Sequence, residues 1–143
     1  MSENEEGGTG AAGATAGGVR AIIAGHAEFS AGLVSAIQQI TGRGSTFRAV
    51  SANNLSAADL EALIARAIDE TGAKVVFTDL QAGSCTMAAR RLSRLRPDVL
   101  LIAGANLPML LDFVFADHLP AVEAARHALE RGRAAITAIG GTP

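Results

Sequence analysis

Three short turns in this chain carry residue types able to do chemistry: Gly25-His26-Ala27, the run Thr78-Asp79-Leu80-Gln81-Ala82-Gly83-Ser84, and Gly104-Ala105-Asn106. Each follows an apolar run and precedes a helical pattern. A histidine so placed is partly exposed and close to the unpaired N–H donors of a helix start, whose partial positive charge favours a phosphate on the ring. A histidine that only closes a turn satisfies the same pattern. Asp79 comes within reach of His26 if the two apolar runs are neighbouring strands; its carboxylate would then accept from Nδ1–H and leave Nε2 as the nucleophile. Read as a turn cap, Asp79 needs no such partner. Ala82-Gly83-Ser84 can turn backbone N–H groups and a hydroxyl toward an anion, or Ser84 can simply be the N-cap of the next helix.

Other chemistry is weaker in the sequence. Cys85 and Arg91 have the Cys-x5-Arg spacing of cysteine phosphatases, and a cysteine near a helix start is expected to have a lowered pKa. The intervening TMAAR, however, favours a helix over the phosphate-wrapping loop that such enzymes need. There is no Gly-x-x-x-x-Gly-Lys-Ser/Thr, the only lysine is Lys74, and Gly42-x-Gly44 follows a helix instead of a strand, so nucleotide motifs are excluded. His118 and His127 lie far along the chain from Cys85, so no metal site and no cofactor are expected. His118 reads as a loop residue and His127 as solvated on a helix. Arg90, Arg91, Arg94 and Arg96 form a basic cluster, either a solvated helix face or a dock for an acidic partner.

These turns must be held by alternating strands and helices. Residues 19–25 (VRAIIAG), 47–51 (FRAVS), 74–80 (KVVFTDL) and 98–104 (DVLLIAG) read as strands. Between the first two, Phe29, Leu33, Ile37 and Ile40 mark one helix face ending near Gly42. Ser56 with Asp59 three residues on forms a capping pattern before Leu60, Leu63, Ile64 and Ile68. Met87, Leu92 and Leu95 suit a third helix, residues 105–116 a short one with Pro108 in its first turn, and residues 121–133 a fifth. AAITAIG, residues 134–140, reads as a last short strand. Such alternation implies a mainly parallel sheet covered on both faces, with ligands at the carboxyl ends of its strands.

Composition narrows the rest. The 143 residues suit one domain; 49% are hydrophobic but only 3% aromatic, so the core is expected to be aliphatic and stacking platforms for bases are scarce. The net charge is −2, and Glu3, Glu5 and Glu6 account for more than that, leaving no basic footprint for nucleic acid. The lone Cys85, the absence of a signal-type start and the short apolar runs point to a soluble cytoplasmic chain without membrane insertion. Residues 1–18, rich in Gly, Ala, Glu, Ser and Thr, are expected to be a disordered leader, and residues 19–143 the folded domain.

The blocks GHAEFSAGLVSAIQQITG (25–42), VVFTDLQAGSCTMAARRL (75–92) and LLIAGANLPMLLDFVF (100–115) resemble, in order, those of the mannose-family enzyme IIA components of the bacterial phosphoenolpyruvate:sugar phosphotransferase system, of the N-acetylgalactosamine and mannose/fructose/sorbose type. The likeness spans residues 19 to about 133. It implies a single-domain α/β three-layer sandwich with strand order 2-1-3-4 and a C-terminal antiparallel strand open to exchange in a homodimer. It also implies a phosphotransferase with a phosphohistidine intermediate. His26 would accept phosphate from the histidine-containing phosphocarrier protein and pass it to a IIB component for sugar uptake through membrane IIC and IID components. Asp79 would pair with His26, Gly83 and Ser84 would receive the phosphate, and Asn106, with Leu107, Pro108 and Met109, would shape the rim. The chain departs from the family's pattern at Ala27, where glycine is usual, and at Ala82-Gly83-Ser84-Cys85, where Gly-Gly-Ser-Pro is usual. Alanine restricts positive φ there, and the departures leave room for a regulatory phosphoacceptor uncoupled from a permease.

Overall fold

The apolar runs at residues 21–25 and 75–78 form strands buried along their whole length because both of their faces are covered, while residues 47–51 and 100–103 form partly exposed strands at the two edges of the sheet. The computed structural model describes residues 18–143, so the expected leader lies almost wholly outside the described residues. The elements follow as β1 (Ala21–Gly25), α1 (Phe29–Thr41), β2 (Phe47–Ser51), α2 (Ala57–Thr71), β3 (Val75–Thr78), α3 (Ser84–Leu95), β4 (Leu100–Ala103), α4 (Leu107–Phe115) and α5 (Ala121–Ala134). The strands are all parallel, in the order β2-β1-β3-β4, as expected.

The side-chain alternation of a strand divides the core in two. Ile23, Phe77 and Ile102 face α1, α4 and α5, where they meet Ile37, Leu110, Phe113 and Ala125. Ile22, Ala24 and Val76 face α2 and α3, where they meet Leu60, Ile64, Ala88 and Leu92. The core is mainly aliphatic, with one exception that composition hides. Phe47, Phe77 and Phe113 gather into a cluster with ring centroids 5.3–6.3 Å apart, in edge-on or tilted pairs favoured by ring quadrupoles.

Helix ends follow the sequence closely. Ser56 caps α2 by accepting from the Asp59 N–H at 3.0 Å, and Gly42 and Gly72 close α1 and α2 in the left-handed conformation. Two expectations need correction. The buried stripe of α3 is Cys85, Ala88, Ala89 and Leu92, while Met87 and Leu95 are 47% and 73% exposed. Small residues carry the contact with α2 because the helices approach closely, so the larger side chains on neighbouring positions are turned outward. Residues 134–140 form no strand: Ala134 ends α5, and Ile136 and Ile139 beyond it are 75% and 94% exposed. A strand needs a hydrogen-bonding neighbour, and this segment has none among the described residues.

Candidate active site

Strand order places the reactive turns together. β1 lies between β2 and β3, and its chain leaves toward the α1 face whereas that of β3 leaves toward the α3 face. The diverging connections open a crevice at the carboxyl ends of β1 and β3, the usual ligand position in open parallel sheets. The register pairs Ala24 with Thr78, so His26 and Asp79 emerge side by side.

Asp79 is the more buried partner, its side chain 8% exposed against 54% for His26. Its Oδ2 accepts from the His26 backbone N–H at 2.9 Å and lies 2.7 Å from Nδ1. Its Oδ1 accepts from the Leu80 N–H at 2.9 Å. Burial pushes the carboxyl pKa up, but the hydrogen bonds from the His26 ring and backbone and from Leu80 outweigh it and hold the carboxyl below its ordinary value. An ionised carboxylate only accepts, so Nδ1 must carry the proton and Nε2 of the neutral ring keeps its lone pair. Gly25 permits the close approach: a Cβ there would meet the Phe29 ring at 2.6 Å and Asp79 Oδ2 at 3.2 Å.

Nε2 faces the start of α3. Gly83, not Ser84, is the N-cap, and no side chain caps this end, so first-turn N–H groups stay available beside the ring. Ser84 Oγ lies 3.5 Å from Nε2. Gly83 passes under the imidazole, where a Cβ would lie 3.2 Å from Cε1. The Thr86 hydroxyl, buried against Thr78, donates to the Leu80 carbonyl at 2.6 Å and ties down the turn. A nucleophilic nitrogen, an uncapped helix start and a hydroxyl therefore converge on one open spot, an arrangement suited to an anion bonded to Nε2.

The other sequence candidates separate from this spot. Asn106 caps α4 through Oδ1, 3.0 Å from the Met109 N–H, and its Nδ2 donates to the Gly132 carbonyl at 3.0 Å; both ends of the amide are spent joining α4 to α5. His127 is not simply solvated: its Nδ1 lies 2.7 Å from Asp112 Oδ2. Arg91 and Arg96 pair with Glu61 and Asp69 of α2, which leaves Arg90 and Arg94 without a carboxylate partner among the described residues.

Cys85 overturns the phosphatase alternative. It lies in α3 with Arg91, so no loop connects them, and it is fully buried. Burial, and secondarily the Asp79 charge, push its pKa up to about 11, the reverse of the expected lowering. The native protein is expected not to react with a thiol-specific disulfide reagent at pH 7.5 and to react stoichiometrically once unfolded in guanidinium. Rapid native labelling would show that the thiol is accessible after all.

Sequence reasoning missed two residues, one at the end of β2 and one in the loop that follows it. Asn53 Oδ1 accepts from the Ala27 N–H at 3.1 Å, and the Ser51 hydroxyl donates to the Ala27 carbonyl at 3.3 Å. Ala27 stands at φ +47°, a left-handed conformation that costs an L-residue about 1–2 kcal/mol. The signal was present in Ser51-Ala52-Asn53-Asn54, a polar cluster at the end of a strand adjoining β1.

This parallel α/β fold, with an aspartate-paired histidine at its central crevice, has known relatives. A sequence model of EIIA-man, described as the PTS system fructose IIA component, matches residues 20–130. The chain belongs to that family. Among solved structures it is similar to the mannose/sorbose-specific IIA subunit of the phosphotransferase system from Enterococcus faecalis, at 20% identity and a TM-score of 0.73 over 88% of this chain and 98% of that one. It is also similar to the phosphotransferase component EIIA from Streptococcus agalactiae, at 21% identity and a TM-score of 0.75 over 84% and 96%. A sigma-54 interaction domain protein from Enterococcus faecalis shares the fold at 11% identity and a TM-score of 0.64, over 79% and 88%. No curated protein matches significantly. Among the described residues, no helix is long and apolar enough to cross a membrane.

Proposed function

We propose that the protein is a phosphoryl relay of the sugar phosphotransferase system. His26 Nε2 takes a phosphoryl group from the phosphohistidine of the phosphocarrier protein and yields it to a IIB component. In each step one P–N bond breaks as another forms. The observation that carries this reading is the His26 Nδ1–Asp79 Oδ2 contact of 2.7 Å, with Nε2 left open beside Ser84. Transfer between histidines needs alignment and charge stabilisation more than covalent help, and an exposed crevice lets each donor and acceptor protein reach the ring. Asp79 offsets the positive charge that develops on the imidazole, while Ser84 and the N–H groups following Gly83 hold the phosphoryl oxygens. The relay works in the cytoplasm, beside membrane components that it does not enter. The exposed Ile136 and Ile139 support a homodimer in which residues 134–140 pair with the sheet of a second copy.

Incubation with phosphoenolpyruvate, enzyme I and the phosphocarrier is expected to place one acid-labile, base-stable phosphate on each chain. No label would sink the reading. A regulatory phosphoacceptor is the second reading, favoured by the fold shared with the sigma-54 interaction domain protein and by Ala27 and Ala82 in the site turns. It predicts the same label without onward transfer to a IIB component.

A further inference from the structure

We propose that Asn53, assisted by Ser51, is a positioning residue that locks the backbone at Ala27, directly after His26, and so holds the imidazole on Asp79; the inference rests on the relay reading for its kinetic consequence only. Ala27 immediately follows the reactive histidine and holds a positive φ without being glycine. Such a conformation persists only where the surroundings over-determine it. Here both of its polar backbone groups are held by side chains from the end of β2 and the loop after it, the N–H by Asn53 Oδ1 and the carbonyl by the Ser51 hydroxyl. The loop is itself braced: the Asn53 N–H donates to Ser51 Oγ at 3.4 Å, and the Ala52 N–H donates to the Gly25 carbonyl at 3.0 Å. Asn54, next in the loop, is the only other non-glycine residue with positive φ among the described residues.

The consequence falls on His26. Its own N–H is fixed by Asp79 Oδ2, and the peptide that follows it is held at its N–H by Asn53 and at its carbonyl by the Phe29 N–H at 3.0 Å, so its Cα is held from both sides. Without Asn53, Ala27 can relax to negative φ. The peptide between His26 and Ala27, left with the Phe29 hydrogen bond alone, then tilts, and the ring loses its alignment on Oδ2. Glycine at position 27 has no such preference for negative φ, so it removes the strain that Asn53 opposes. Ordinary surface hydrogen bonding predicts no link between positions 53 and 27 of this kind.

The test is a double-mutant cycle on the full chain with Asn53→Ala, Ala27→Gly and the pair, read by single-turnover phosphotransfer and by ring 15N shifts of His26. Asn53→Ala is expected to slow transfer at saturating phosphocarrier about tenfold with little change in KM, and to reduce the Nδ1–H tautomer. Ala27→Gly alone should leave both near wild type, and the pair should recover most of the rate and the tautomer. An unchanged rate and tautomer in Asn53→Ala, or a double variant no better than Asn53→Ala, would overturn the proposal. If the wild type takes no phosphate, the relay reading fails and the tautomer measurements decide the positioning role alone.

Discussion

Replacing His26 with alanine is expected to abolish phosphate uptake, with no residual label above background after the wild type is saturated. The expectation depends on why the other two histidines cannot substitute. His127 has the same first contact as His26, with Nδ1 2.7 Å from a carboxylate. It sits midway along α5, however, where the backbone N–H groups are already bonded within the helix, so nothing there receives phosphoryl oxygens. His118 lies in the turn between α4 and α5, with no carboxylate on its ring among the described residues. Only His26 combines a fixed tautomer, an uncapped helix start and a hydroxyl 3.5 Å from Nε2. The variant should fold, because the side chain is half exposed. Label retained at the wild-type rate in His26→Ala, or lost in His127→Ala, would move the acceptor elsewhere.

How far the sequence reached follows from what each feature depends on. The strands were legible because short apolar runs bounded by turn residues mark them, whereas their order came only with the family resemblance; His26 and Asp79 stand at the ends of two of them. The α2 cap was legible because Ser56 and Asp59 act within one turn. The outward Met87 and Leu95 were not, since the depth of the α3 contact depends on how closely a separate helix approaches its small residues. Nor was the fate of residues 134–140, since an apolar run becomes a strand only when a neighbour supplies its hydrogen bonds. Ser84 was misread as a cap candidate by a single residue, and that shift is what frees its hydroxyl to face the ring. Asn53 was the hardest to see: its role arises from the adjacency of β1 and β2 together with a backbone torsion at a residue 26 positions away.

Asp79→Asn is expected to slow phosphotransfer roughly 10²–10⁴-fold while leaving the fold intact. The two oxygens of Asp79 face three donors: the His26 N–H, the His26 Nδ1–H and the Leu80 N–H. An asparagine supplies one oxygen and an NH2 group, so the amide must oppose at least one of these donors. The His26 ring can relieve the conflict by making Nδ1 the acceptor, which puts the proton on Nε2 and removes the lone pair needed to attack phosphorus. The same substitution withdraws the charge that offsets the developing imidazolium, so orientation and electrostatics fail together. Ring 15N shifts should show the Nε2–H tautomer, and single-turnover kinetics the slower rate with near-normal binding of the phosphocarrier. The acid limb of stability offers a separate check. Because the folded carboxyl lies below its ordinary value of 3.8, its contribution is present above that pH and is lost as pH falls through the lower folded value. The variant should therefore lose less stability than wild type between pH 4 and the acid extreme. A wild-type rate in Asp79→Asn would reduce the carboxylate to a cap of the β3–α3 turn.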